Sequence, residues 1–187
     1  MSYAELHCLT NFSFLRGASH AEELVERAAE LGYSALAITD ECSVAGVVRA
    51  HLAAREHGLK LIVGSEFRLE DGLHCVMLAT TRRGYGQLCR LITQARRAAP
   101  KGQYRLGRPD FACGLPDCLA LWLPEQVPDE THGRWLASVF PGRLWIAVEL
   151  LTTGQDRRRL ARLQGLGEQI GLPLVAAGDV HMHARSR

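Results

Sequence analysis

The sequence has almost no lysine: Lys60 and Lys101 stand alone among 22 basic residues, and the rest are arginine. That bias reads as genomic composition, and a formal net charge of +2 does not by itself call for a polyanionic partner. No apolar run reaches the ~18 to 20 residues that a membrane-spanning helix needs. The opening residues, MSYAELHCLT, lack the basic start and apolar stretch of a secretory signal. These absences predict a cytoplasmic chain with no membrane partner, whose six cysteines stay reduced. No Cys-x-x-Cys pair occurs, and Cys113 and Cys118 are too far apart for a zinc knuckle. Internal repeats, low-complexity tracts and linkers are absent. So are the glycine-rich phosphate loops G-x-G-x-x-G and G-x-x-x-x-G-K, and the nucleophile elbow G-x-S-x-G.

What is present is a soluble, core-forming composition, 47% hydrophobic and 22% charged, in 187 residues, enough for one domain. Short apolar runs with strand character cover residues 3–9, 34–39, 59–63, 74–80, 118–123, 144–150 and 172–177. Helical periodicity covers 20–30, 44–57, 84–98 and 155–170, with Ser19 and Glu22 spaced as a capping box for the first helix. Residues 100–118 show no clear period and are expected to be loop with at most a short helix. Strands alternating with helices predict parallel pairing. Seven such strands with polar endings predict a distorted, TIM-like (β/α)7 barrel with outer helices, functional side chains sitting at the C-terminal strand ends. An open doubly wound sheet is the competing architecture, and it lacks its phosphate loop.

The last strand carries the sharpest signal. LPLVAA ends abruptly in Gly-Asp-Val-His, and alternation puts Asp179 and His181 on one side. Other strand ends supply His7, Asp40, Glu41, Glu66 and His74. A single histidine on a strand is ordinarily structural. Several strands in succession ending in imidazole or carboxylate suit a divalent metal such as Zn or Mn, used for hydrolysis. Cys8, Cys42 and Cys75 each follow a candidate ligand, so alternation turns them towards the helix layer as packing residues. The same rule puts Leu9 beside His7. Trp122, Trp135 and Trp145 are expected in packing. From Arg82 to Arg108 the chain has eight basic residues and no acidic one, with Tyr85 and Tyr104 interleaved. That is a solvated helix face or a continuous basic surface for DNA or an acidic partner.

These motifs together resemble the PHP (polymerase and histidinol phosphatase) family over essentially the whole chain. The matches are His7, Thr39-Asp40, Gly64-Ser65-Glu66, His74 and Asp179-Val180-His181. The wording HCLTNFSFLRGAS, AAGDVHMH and CRLITQARRAAPKGQYRL is similar to the N-terminal domains of the family's bacterial error-prone, damage-inducible polymerase group, relatives of the polymerase III alpha subunit. The resemblance implies a PHP barrel over 1–187 at the start of a longer DNA-directed DNA polymerase, with the nucleotidyltransferase site elsewhere. It also implies roles in DNA repair and translesion synthesis, DNA reached through the rest of the polymerase, and mutasome or replication proteins as partners.

The resemblance implies a three-metal site, but the sequence departs from the family pattern. Leu9 stands where the family has its second opening histidine, Arg16 where replicative relatives carry aspartate, and Glu41 where the family has histidine. Residues 119–125 offer no ligand cysteine. The surviving candidate ligands are His7, Glu41, Glu66, His74, Asp179 and His181, which predicts one or two ions at most. On this view His7, Glu66 and either Asp179 or His181 share an ion, and His74 and Glu41 keep water or each other. Arg16 adds a cation that can pair with Glu41 or bind an anion. Two functions follow: a degenerate domain with a structural or DNA- and partner-contact role, or an active metal-dependent phosphoesterase, either a 3′–5′ exonuclease or a small-molecule phosphatase.

Overall fold

A computed structural model describes residues 3–112 and 114–186. Cys113, weighed above with Cys118, lies outside the described residues. Seven strands form one sheet in chain order: β1 (Ala4–Glu5), β2 (Ala35–Ile38), β3 (Lys60–Arg68), β4 (His74–Ala79), β5 (Cys118–Trp122), β6 (Leu144–Glu149) and β7 (Leu174–Ala177). Beyond the ends of β1 and β7 the sheet comes round on itself. Val180 donates its N–H to the His7 carbonyl at 2.9 Å, and Leu9 donates to the Val180 carbonyl at 2.8 Å. The nearly closed barrel is therefore zipped at its mouth, beside His7. Among the described residues five α-helices pack outside: α1 (Ala21–Glu30), α2 (Val47–His57), α3 (Arg82–Arg97), α4 (Glu130–Val139) and α5 (Asp156–Ile170).

Alternation along the strands divides the core. Ala37, Val76, Leu78, Leu121 and Ala147 point inward and fill the barrel, as the layered interior of such folds requires. Their neighbours point out: Cys75, Ala120, Trp122 and Ile146 meet α3, α4 and α5, while Cys8, Leu36 and Ile38 meet α1 and α2. Cys8, Cys42 and Cys75 are thus packing thiols, and burial pushes each of them up from the ordinary thiol value.

The parallel expectation needs one correction. β4 runs antiparallel to both β3 and β5. The connection from β3 is a tight turn in which Leu69 donates to the Leu73 carbonyl at 2.8 Å and Gly72 has φ +85°. A parallel return needs a crossover of a dozen residues or more. The long excursion 80–117 also returns to the end it left, since Thr80 donates to the Asp117 carbonyl at 3.0 Å. Inversion brings the first residue of β4, His74, to the end of the barrel where the parallel strands finish. β3 is also longer than its apolar run suggests, so Glu66 lies within the strand, opposite Val76 of β4.

Two further details differ from the sequence reading. The first helix starts one residue later, with the Glu23 carboxylate accepting from the His20 N–H at 2.8 Å. Ser19 instead accepts from the His183 N–H at 2.9 Å, tying the far end of the chain to this corner. The second is α4, which no periodicity signalled. Its N-cap Asp129 accepts from Thr131 N–H at 2.9 Å. Gly133 in its interior is there for packing: a Cβ at that position would lie 2.5 Å from the Trp122 ring and 2.8 Å from Ile170. Helix propensity alone makes Gly133→Ala stabilising by up to ~1 kcal/mol. We expect the opposite, a loss of ~1 to 3 kcal/mol from overpacking, measured by urea unfolding.

Candidate functional site

Glu5, at the end of β1, sets the frame. Its buried carboxylate accepts from the backbone N–H groups of Leu6 (3.0 Å), His7 (2.8 Å) and Gly178 (2.8 Å), and from the Tyr3 hydroxyl (2.8 Å). The chain ends of β1 and β7 are held together by one side chain, and His7 is fixed by its own backbone.

His7 is 1% exposed and lies between two carboxylates. Nε2 is 2.8 Å from Glu66 Oε2 and Nδ1 is 2.7 Å from Glu149 Oε1. Carboxylates only accept, so both ring nitrogens donate and the ring is an imidazolium. Burial alone pushes such a cation towards neutrality. The hydrogen bonds to Glu149 and Glu66 outweigh it and hold His7 up at about 10.

Glu66 is equally buried, and cations surround it. Arg16 forks onto it, Nη1 donating to Oε1 and Nη2 to Oε2, the latter at 3.1 Å. His74 Nε2 lies 2.7 Å from Oε1, but out of line, so that nitrogen has no hydrogen-bond partner. Burial would raise the Glu66 carboxyl; its contacts with His7, His74 and Arg16 hold it well below the usual carboxylate range. Arg16 Nη1 also donates to Glu41 Oε2 at 2.9 Å, and Glu41 Oε1 accepts from the Tyr104 hydroxyl at 3.0 Å. On the other side Asp179, with φ +47°, accepts from His181 Nε2 at 2.8 Å and lies 3.6 Å from His7 Nδ1. Burial raises the Asp179 carboxyl, and His181 and His7 more than offset it.

The structure therefore brings His7, Glu66, His74 and Asp179 into one chain of contacts. Glu41 joins through Arg16, and His181 joins through Asp179. The pairing of His74 with Glu41 is not what forms: His74 meets Glu66, and Glu41 meets Arg16 and Tyr104. Asp40 leaves the set of candidates altogether. It is fully buried and accepts from Thr10 N–H (2.8 Å), Thr10 Oγ1 (2.9 Å) and Ser13 Oγ (2.7 Å), anchoring the loop after His7. Sequence reading missed Glu149, although it ends β6 as an acid after an apolar run, the signal that flagged the others. The basic stretch from Arg82 to Arg108 is not one continuous free face. Arg83 pairs with Asp117, Arg108 with Asp71, and Arg96 folds inward onto the carbonyls of Glu41 and Cys42, both at 3.1 Å.

The network gives a signed pH dependence. His7 has a folded value raised from 6.5 to about 10, so its contribution is complete below 6.5 and lost as pH rises through 10. Glu66 is depressed from 4.5, so its contribution is complete above 4.5 and lost as pH falls. Comparing urea midpoints of the chain with those of His7→Gln, we expect the largest gap at pH 4.5 to 6.5 and a narrowing gap towards pH 10. A gap that widens with rising pH contradicts an imidazolium at His7.

Comparison with known proteins shows the family. The chain is 63% identical over 186 residues to an error-prone DNA polymerase of Methylococcus capsulatus, covering 99% of this chain and 18% of that protein. With the error-prone DNA polymerase of Pseudomonas aeruginosa the identity is 59%, over 100% of this chain and again 18% of the relative. The chain thus spans under a fifth of the length of the curated relatives it matches. Among solved structures, an amidohydrolase from Chromobacterium violaceum superposes with TM-score 0.65 at 18% identity, covering 97% of this chain and 88% of the other. A lesion-specific endonuclease from Pyrococcus furiosus gives 0.64 at 13%, covering 96% and 48%. These two likenesses show the fold alone. The family profile described as "PHP domain" matches residues 5–119, which include His7, Arg16, Glu41, Glu66 and His74. The chain belongs to the PHP domain family.

Proposed function

We propose that residues 1–187 form the N-terminal PHP domain of an error-prone, damage-inducible translesion polymerase of the polymerase III alpha type, in which an ion-pair plug stands where the PHP family pattern implies metal. The polymerase reading rests on the named relatives and their identity over the whole chain. The domain's work is then to hold the barrel as a rigid platform for the polymerase module, its DNA and its replication partners. Its nucleotidyltransferase carboxylates lie outside these residues.

One observation carries the degenerate-site reading: the Arg16 guanidinium sits on both oxygens of Glu66. The donors do not fit a metal cluster. A ligand needs a free lone pair, and His7 has none while both its nitrogens donate to carboxylates. Leu9, fully buried, has no donor atom at all. A cation entering the site would also meet the positive charge of Arg16.

The second reading, a metal-dependent phosphoesterase acting as an exonuclease or small-molecule phosphatase, is favoured by a different observation. Glu41, Glu66, Glu149 and Asp179 outnumber the fixed cations Arg16 and His7, and His74 Nε2 is a buried nitrogen without a hydrogen-bond partner. Elemental analysis after chelator-free purification separates the two, together with hydrolysis of a labelled single strand in added Mn or Zn. We expect at most one or two loosely held ions and no turnover above background. We also expect Leu9→His with Arg16→Asp and Glu41→His to raise the metal content. Three tightly held ions, with nuclease activity abolished by Asp179→Ala, would replace the first reading by the second.

A further inference from the structure

The loop between His7 and α1 exposes apolar side chains that a folded domain ordinarily hides. Phe14 is 84% exposed, Leu15 89% and Phe12 43%. The loop beneath them is rigid. Thr10 and Ser13 hydrogen-bond to buried Asp40, Ser13 Oγ accepts from the Glu41 N–H at 3.0 Å, and the Ser13 carbonyl accepts from Arg16 and Gly17 at 3.0 Å. Gly17 is required there, because a Cβ would lie 2.0 Å from the Thr10 carbonyl oxygen. Leu15 has φ +63°, a left-handed backbone conformation that is strained for a non-glycine residue. The chain thus accepts local strain to hold two phenyl rings outward on a fixed base. Strain of that kind persists where it serves a contact.

Phe12 and Phe14 line a groove of about 530 Å³ whose other wall is Arg96, Gln103 and Tyr104. Arg96 lies over the Tyr104 ring, 5.4 Å from its centroid, and among the described residues it donates to backbone carbonyls and pairs with no carboxylate. Glu41 also reaches this groove, its carboxylate accepting from Arg16, which it shares with Glu66, and from the Tyr104 hydroxyl. Lys101 and Arg105 flank the Gly102–Tyr104 wall, and both are exposed with no ion-pair partner among the described residues, as is Arg97 at the end of α3. Aromatic faces projecting beside unneutralised cations form the pattern that binds single strands, bases stacking on the rings while phosphates meet the basic groups.

We propose that the Phe12–Phe14 loop and the 96–105 segment form a docking groove for single-stranded nucleic acid, with Phe14 stacking on a base and Lys101 and Arg105 contacting the flanking phosphates. Charge selects this occupant over an apolar protein segment, because the free cations would be left facing an uncharged surface. The inference stands on this surface alone, whatever the chemistry of the neighbouring ion-pair cluster and whatever longer protein the chain serves.

Fluorescence anisotropy on the 187-residue chain tests it, with labelled oligothymidylate of about ten nucleotides and an abasic strand of the same length. Phe14→Ala should weaken oligothymidylate binding about tenfold without changing the slope of affinity against salt. The same variant should leave abasic binding unchanged, and its unfolding midpoint should match the parent because the ring is exposed. Lys101→Ala with Arg105→Ala should flatten the salt slope for both strands. Binding undetectable at low salt, or an oligothymidylate affinity indifferent to Phe14→Ala, overturns the proposal. So does sedimentation showing the parent as a dimer that Phe14→Ala dissolves, which would make the loop a contact between copies.

Discussion

Everything at the barrel mouth depends on how one buried carboxylate is neutralised. Glu66 lies inside β3, out of water, where an isolated anion would cost several kcal/mol. Two routes can satisfy it: metal ions, or protein cations. Arg16 and His7 surround it in this structure, and the placement of other residues follows from those contacts. Glu149 is needed because imidazolium has a second N–H to satisfy. Glu41 accepts from the guanidinium beside its fork on Glu66, and the Tyr104 hydroxyl donates to the other Glu41 oxygen. A removed partner would leave a buried charge exposed to its neighbours without compensation. The cluster is therefore a mutual constraint on β1, β3, β4, β6 and the stretch after β7, not a set of independent ion pairs.

The barrel is built to keep that cluster in place. The zip between residues 7–9 and Val180 closes the sheet next to it, and Glu5 holds both closing strands by their backbone N–H groups. Inversion of β4 is the other requirement, since it delivers His74 from a strand's beginning to the end where the parallel strands finish. Asp40 does comparable work one layer out. Burial pushes its carboxyl up, while hydrogen bonds from Thr10 and Ser13 pull it back and fix the loop that carries Arg16.

Much of this was legible in the sequence because strand-end polarity survives folding. Apolar runs bordered by His or acid located the contributions at β1, β2, β3, β4 and β7, and the barrel and the outward packing of Cys8 and Cys75 followed from alternation. What escaped has physical reasons. The inversion of β4 is encoded in a turn length between residues 69 and 73, not in either strand's composition. α4 was invisible because Gly133 weakens the helical pattern for the sake of contact with Trp122. Asp40 looked like a ligand because its partners, Thr10 and Ser13, lie about thirty residues away in sequence and appear only in three dimensions. The basic stretch looked continuous because sequence cannot show which arginines fold back onto carboxylates and carbonyls.

The central claim is that protein cations occupy the place of metal at Glu66, and His7 reports on it directly. The two-bond proton–nitrogen correlations of the His7 ring, recorded at pH 8 with and without added Zn, read the protonation of each nitrogen. With the ring held up at about 10, both nitrogens should carry protons and stay unchanged when Zn is added. A neutral ring with one bare nitrogen, whose signal shifts on stoichiometric Zn, would contradict the account.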